Sequence, residues 1–552
     1  MIPTVVILIT MIPPTPFSTL QIMRQLENGI IRIPDFQRDP IWNANQVEVL
    51  LDSIIKGYPL GSFLLWKTGD KLKERNPLNL PARPETIEKM YLLDGQQRAL
   101  ALYGIFKNRL KIRSGRQRVD YRAYFDLSNV TFNLYKKKDL DRGKIDLSED
   151  QVALDEAILI DTERQSVEKS STLVRELMHQ NKEEQFKKLD KLFQAFRDPI
   201  VSSIIVEGSG LDAACEIFVR LNRQGTPLSV VDIMVAKTYS KSPYFNLREK
   251  LDEVNSDLDP SFILRELTIL ESVSGCIEKG VSEKAILSSA EENKLSNSWD
   301  KGIEALKRAI DFLQGRKLVP VSKFLPFDVL LAPLTYFFFN EERPSSNRLN
   351  ELGKFFWRAS ASQRYIEGQN AKIADDIETM DSIIENGPAP DFETKFTKTS
   401  IRNQEIRFGS SFCKTLLCLF STLSPKDIRT NEEVSLADCF AAANARQIHH
   451  LFPRKYLETL SGQPDYKSKI KPFTNSVVNV CLITALSNQI VGAKRPSEYL
   501  ADLSNPDLES TLESHLISGE TYESLMDDDL ESFLSNRANE IGDRLREKLR
   551  GR

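Results

Sequence analysis

The sequence predicts a helix-rich α+β chain, and three observations carry that prediction. Short apolar runs alternate with amphipathic segments through the first 245 residues, which is the pattern of an α/β unit. Residues 246–400 keep helical spacing with aromatic cores, including Phe337-Phe338-Phe339. From residue 401 the pattern is mixed. A length of 552 residues fits three domains at roughly 150 residues each, drawn here as 1–245, 246–400 and 401–552.

Phe17 to Glu27 has helical spacing and stops at Asn28-Gly29, a helix-ending pair. Ile30 to Ile33 reads as a short strand stopped by Pro34. Asn45 to Lys56 is a helix with Val47, Leu50, Leu51, Ile54 and Ile55 on one face. Gly61 to Lys67 and Met90 to Leu93 are strands, the second running into Asp94-Gly95 and a helix from Gln96 to Phe106. Tyr121–Leu127 and Thr131–Tyr135 form a strand pair, and 136–200 mixes loops and helices. Val201–Val206 is a strand, followed by helices over Asp212–Asn222 and from Ser229. Pro, Asn and Gly clusters at 343–347 and 386–390 mark loops. Between them, Phe355-Phe356-Trp357-Arg358 and Ser362-Gln363-Arg364-Tyr365 read as core packing. The tail from 501 is acidic, densest at Asp527-Asp528-Asp529.

A net charge of −4 gives no global attraction to nucleic acid, so any such surface must be a local patch. The six cysteines, Cys215, Cys276, Cys413, Cys418, Cys439 and Cys481, form no CxxC pair and read as reduced core thiols of a cytoplasmic protein. Ile2 to Ile12 is apolar but too short to span a bilayer, and it lacks the basic flank of a signal peptide. It reads as a buried strand, or as sequence upstream of a start at Met11.

Two of the four histidines are adjacent, in Gln447-Ile448-His449-His450-Leu451-Phe452-Pro453, while His179 and His515 lie far off among charged residues. Spaced amides follow in Asn475-Ser-Val-Val-Asn479-Val-Cys-Leu-Ile-Thr-Ala-Leu-Ser-Asn488. Phosphodiester cleavage needs a group that activates water and a charge that stabilises the leaving oxygen. An imidazole near neutral pKa suits the first task and a divalent metal the second. Arg446–His450 and Val477–Ile483 supply two strands, and Leu486–Val491 begins a helix, together a compact ββα hairpin. Eight basic residues stand against three acidic ones between 441 and 500, with Lys494 and Arg495 as candidates for the DNA backbone.

These residues, with Arg-Pro-Ser-Glu-Tyr-Leu at 495–500, resemble the HNH nuclease domain of the GmrSD-like, modification-dependent (type IV) restriction enzymes. The resemblance implies His450 as general base, His449 and Asn488 as ligands of Mg²⁺ or Mn²⁺, and Asn479 as a residue that orients the base or braces its loop. The chain departs from the family twice: Asn488 stands in the last slot of the HNH name, and His449 stands where many such enzymes have Asp.

Near the other end, Asp94-Gly95-Gln96-Gln97-Arg98 sits between a strand and a helix. There unpaired N–H groups and a dipole favour an anion, and Arg98 can fork a phosphate. A plain helix cap is the competing explanation. No Walker A run is present. With Ile33-Pro34-Asp35-Phe36-Gln37-Arg38, Trp42 and the stretch Ile217–Ser229, this resembles the ParB/sulfiredoxin-like N-terminal domain of the same restriction family, whose DGQQR loop is associated with nucleotide hydrolysis. The resemblance implies Gln37, Arg38, Asp94, Gly95, Gln96, Gln97 and Arg98 at a GTP or ATP site, with Asn222 and Thr226 as weaker members.

The expectation is a cytoplasmic antiphage endonuclease. It would cut or nick modified double-stranded phage DNA under control of a nucleoside triphosphate, with a homodimer as one open assembly. Glucosylated hydroxymethylcytosine and phosphorothioate DNA are the modifications the resemblance brings. Alternatives are a nucleotide-regulated DNA-binding module with a degenerate nuclease, and a toxin-type nuclease acting on RNA.

Overall fold

The computed structural model describes the chain except residues 1–9, 36, 38–39, 41, 70–73, 77, 79, 81–88, 115–116, 162–165, 181, 199–200, 208–216, 218–228, 242–244, 395, 437–447, 463, 485–486, 488–491, 504 and 552. It divides into two compact units, Met1–Asn246 and Leu247–Arg552. The boundary expected near residue 400 falls inside the second unit.

The first unit is built on a mixed six-stranded sheet in the order β1-β12-β3-β5-β2-β4. Its strands are β1 (Thr10–Phe17), β2 (Ile31–Pro34), β3 (Ser62–Thr68), β4 (Glu74–Arg75), β5 (Lys89–Asp94) and β12 (Val201–Glu207). β12 runs parallel to β3 and β5 parallel to β2; the remaining pairs are antiparallel. β1 carries Pro13, Pro14 and Pro16, which cannot donate to a ladder, so it lies at the sheet edge. Its register slips between Ile12 and Thr15, where two of those prolines sit. A second sheet sets β6 (Lys111–Ser114) and β9 (Gln151–Ala153) beside β7 (Gln117–Asp126), which pairs antiparallel with β8 (Thr131–Lys136). Ile158–Asp161 and Ser166–Lys169 make a small hairpin, β10 and β11.

Helices α1 (Thr19–Glu27) and α2 (Ala44–Ile55) begin with reciprocal capping boxes, Ser18 with Gln21 and Asn43 with Gln46. Each box satisfies two first-turn donors. Val47, Leu50, Leu51 and Ile54 are buried on one face of α2, and Ile55 packs at its margin. α3 (Gln96–Phe106) buries Ala99 through Phe106 without a break, so this helix is held on all sides. The unit closes with α4 (Lys137–Asp141), α5 (Leu154–Ala157), α6 (Ser171–His179), α7 (Glu183–Arg197) and α8 (Val230–Lys241). The expected helix Asp212–Asn222 lies outside the described residues apart from Ile217.

The second unit packs α9 (Glu266–Glu278), α10 (Lys294–Gly315), α11 (Leu331–Asn340), α12 (Ser346–Ala361) and α13 (Gln369–Ile384) around aromatic side chains. Phe338 meets Phe337 edge-on at 5.1 Å and Phe312 at 6.0 Å. Arg358 donates to the carbonyls of Leu549, Ala389 and Pro390, and Arg364 pairs with buried Asp376 at 2.7 Å, so both serve packing. The acidic tail is helical. Its last helix, α16 (Leu530–Arg550), buries Phe533, Leu534, Ala538, Ile541 and Leu545 beside α14 (Ser411–Ser421). Among the described residues, no helix is long and apolar enough to cross a membrane. The four described cysteines, Cys276, Cys413, Cys418 and Cys481, are buried and free.

Candidate nuclease and nucleotide sites

The histidine pair lies on β13 (Ile448–His450), which pairs antiparallel with β14 (Val480–Leu482), His449 opposite Cys481 and His450 opposite Val480. Adjacent strand residues point to opposite faces, so the two imidazoles part company. His449 is buried with its ring edge-on to Tyr499 at 5.8 Å. His450 is half-buried, and its Nε2 stands 3.2 Å from Asn475 Oδ1. That oxygen also accepts from Arg454 Nη2 at 3.0 Å. Arginine is only a donor, so the amide presents its oxygen to both, and His450 Nε2 carries the proton. Burial, opposed by the Asn475 bond and seconded by Arg454, holds the His450 pKa below its ordinary value. The imidazole is therefore neutral near pH 7, the form that can accept a proton.

Asn479 is fully buried and braces the loop after β13. Its Oδ1 accepts from Phe452 N at 2.9 Å, and its Nδ2 donates to Phe452 O at 3.2 Å and Thr474 O at 3.1 Å. Of the two roles open to Asn479, the geometry shows the loop brace. The expected strand Val477–Ile483 begins instead with a 3₁₀ turn, Val477–Asn479, and only then pairs. Asn488 and most of the expected helix Leu486–Val491 lie outside the described residues.

Three supports escaped the sequence reading. Asn475 stands in the same run of amides as Asn479, but nothing local separates it from its neighbours. Arg537, on α16, is fully buried; it donates to Val478 O and Val480 O at 2.5 and 2.8 Å and to His515 O at 2.8 Å. Burial draws its pKa down to about 10. His515 stands far from the pair among charged residues of the sequence. It is buried, its Nε2 bonds Lys426 O at 2.7 Å, and burial pushes its pKa down to about 4.

The third support is Asp427, which accepts from Thr484 N (2.9 Å), Thr484 Oγ1 (2.7 Å) and Ser487 Oγ (2.6 Å). It thus holds the turn that leads from β14 toward Asn488. Burial opposes its charge, but these bonds and one from Arg429 N outweigh it and keep the carboxyl below the usual range. A depressed folded pKa stabilises the fold above the unfolded value of about 3.9 and stops doing so as pH falls through the folded value. Asp427→Asn should cost about 1–3 kcal/mol at pH 7 and flatten the acid limb of stability. Urea melts between pH 3 and 7 measure this; an unchanged acid limb would remove Asp427 from the account.

Of the two expected metal ligands only His449 lies among the described residues, and no group of three His, Cys, Asp or Glu among those residues could hold a cation. One buried imidazole does not make a catalytic metal site, which takes about three protein ligands. Lys494 and Arg495 are exposed but face carboxylates: Lys494 pairs with Asp502, and Arg495 with Glu498 at 2.9 Å and Asp528 at 3.5 Å.

In the first unit Asp94 ends β5, and Gly95, at φ +93°, is the N-cap of α3 without a side-chain cap bond. Asp94 Oδ1 instead accepts from Gly95 N at 2.7 Å, so the plain aspartate cap is not formed. A Cβ at Gly95 would lie 2.5 Å from the Phe63 ring, so only glycine fits. Arg98 does not reach outward as a phosphate fork. It donates to Leu60 O and to Ser62 O (2.7 Å) and lies over Phe63 at 4.9 Å. Gln37 is buried, its amide donating to Leu92 O and to Leu93 O (3.1 Å), immediately before Asp94. Gln96 is buried and Gln97 half-buried; Gln97 lines a pocket with Trp42, Pro40, Leu78, Lys111 and Arg118. Arg38, Asn222 and Thr226 lie outside the described residues. Because Arg98 ties α3 to β3, Arg98→Ala should destabilise the first unit by about 2–4 kcal/mol. A denaturant melt matching wild type would show that those bonds contribute nothing.

Residues 20–239 match the model of the GmrSD restriction endonuclease N-terminal domain. An uncharacterized protein of Methanocaldococcus jannaschii is 23% identical over an alignment covering 96% of this chain and 97% of that protein.

Proposed function

We propose that this chain is a DNA endonuclease of the restriction class, with His450 as general base and a nucleoside triphosphate controlling it from the first unit. The match of residues 20–239 supports the restriction-endonuclease class. The observation that carries the nuclease reading is the clamped hairpin. Asn475 faces His450 at Nε2, Asn479 staples the loop that follows, and Arg454 stands beside both. With the proton on Nε2, Nδ1 keeps the lone pair that takes a proton from water as the water attacks phosphorus. Arg454 supplies positive charge for the phosphate.

A divalent cation, Mg²⁺ or Mn²⁺, would supply a Lewis acid for the 3′ leaving oxygen, with His449 and Asn488 as its expected ligands, but His449 is buried on the face of β13 opposite His450, so no step is routed through it. In the first unit, the uncapped start of α3 behind Gly95 is the proposed cradle for phosphates of GTP or ATP. Gln96 and Gln97 are its polar neighbours, and Arg98 and Gln37 are struts. Modified double-stranded phage DNA is the proposed substrate. The test is nicking of plasmid and of modified phage DNA with Mg²⁺ or Mn²⁺, by wild type and His450→Ala, with EDTA as control. Equal cutting by the two proteins would overturn the reading.

A further inference from the structure

We propose that the backbone of double-stranded DNA lies on the face built by α15 (Arg454–Thr459) and the Tyr466–Phe473 segment, rather than on the Lys494–Arg495 turn. This rests on the nuclease reading of His450.

Both elements stand beside the hairpin. α15 begins four residues after His450, and the Tyr466–Phe473 segment ends two residues before Asn475. The amide of Asn475 joins α15 to β13, accepting from Arg454 on one side and facing His450 on the other. The segment buries no side chain, so it contributes little to the core. It is a π-helical turn, Tyr466–Ile470, followed by a 3₁₀ turn, Lys471–Phe473. Phe473 is anchored beneath the Arg402 guanidinium at 4.3 Å.

The charge on this face is uncommitted. Arg454, Lys455, Lys467 and Lys471 are exposed and have no carboxylate partner among the described residues, whereas Lys469 shares Asp465 and Glu531. The Lys494–Arg495 turn is the reverse, since both of its cations are already neutralised. A phosphate that displaces a carboxylate gains less than one that meets a free cation, because the ion pair must first be broken. Four cations without a carboxylate partner, on elements that adjoin the hairpin in sequence, therefore outrank two paired ones. A charged face is often only solvated, but here it adjoins the one imidazole turned away from the core of the hairpin.

The test is binding of a fluorescent duplex by the full chain in EDTA, across a series of NaCl concentrations. Lys467→Ala/Lys471→Ala should weaken binding about tenfold and lower the slope of log affinity against log salt by about 2. Lys494→Ala/Arg495→Ala should leave the slope within about 0.5 of wild type on the same basis. Thermal melts should be unchanged in both. No binding by wild type, equal slopes in the lysine variant, loss carried by the 494–495 variant, or the same losses seen with an RNA hairpin and no binding of the duplex would each overturn the proposal. Failure of the nuclease reading looks different: duplex binding with the expected slopes, but no cutting that depends on His450.

Discussion

Replacing His450 with alanine should lower the rate of plasmid nicking by about 100- to 10,000-fold, the range over which a positioned general base contributes, while the melt should stay close to wild type. The side chain is half-buried and makes one hydrogen bond to Asn475, so little stability depends on it. The loop beyond it is held by Asn479 and by Tyr499, whose hydroxyl donates to Leu451 O at 2.9 Å. Loss of rate without loss of fold separates chemistry from packing. Asn475→Ala should retain some activity, since Nδ1 keeps its lone pair and only the ring's orientation is released. Full activity in His450→Ala would move the chemistry elsewhere in the chain.

Arg537→Ala has the largest expected effect on stability, about 4 kcal/mol against the second unit, read by urea denaturation. Truncation empties a large buried volume and leaves the carbonyls of Val478, Val480 and His515 without their donor. It also removes the guanidinium from between Phe420, at 5.4 Å, and Phe533, at 5.9 Å. Nicking should fall with it at growth temperature, because Val480 is the residue paired with His450. Arg537→Lys keeps a charge but loses the fork, and should fall between the two. A variant melting within about 1 kcal/mol of wild type would mean that the carbonyls find water or other donors.

Sequence patterning located the scaffold because each element carries its own period and its own stop. The helix Gln96–Phe106 matches its expected bounds, and the strands at 31–34, 62–68, 89–94 and 201–207 fall within a residue or two of theirs. Their apolar faces and their glycines and prolines are local signals. The second strand of the hairpin was harder to read, since Val477–Asn479 is apolar enough for a strand but is turned into 3₁₀ by the Ser476 and Asn479 bonds. At the sites, the sequence marked residue types that chemistry uses but not what already occupies them. Arg98 looks free beside a helix start, and only the fold brings the Leu60 and Ser62 carbonyls to it from 38 and 36 residues away. Asp427 and Arg537 carry no local motif, because the bonds that tie each to the hairpin and its following turn span 57 or more positions.

Gln37 joins two motifs that the chain keeps 55 residues apart, by holding the carbonyl of Leu92. The segment carrying Ile33-Pro34-Asp35 and the strand end carrying Asp94 therefore behave as one lever. A ligand that moves either arm must strain the amide bond or carry the other arm with it. Such coupling is reciprocal: whatever favours a shift of one segment favours the matching shift of the other to the same degree. A single buried glutamine therefore sets how far the turn after β2 and the end of β5 can move apart.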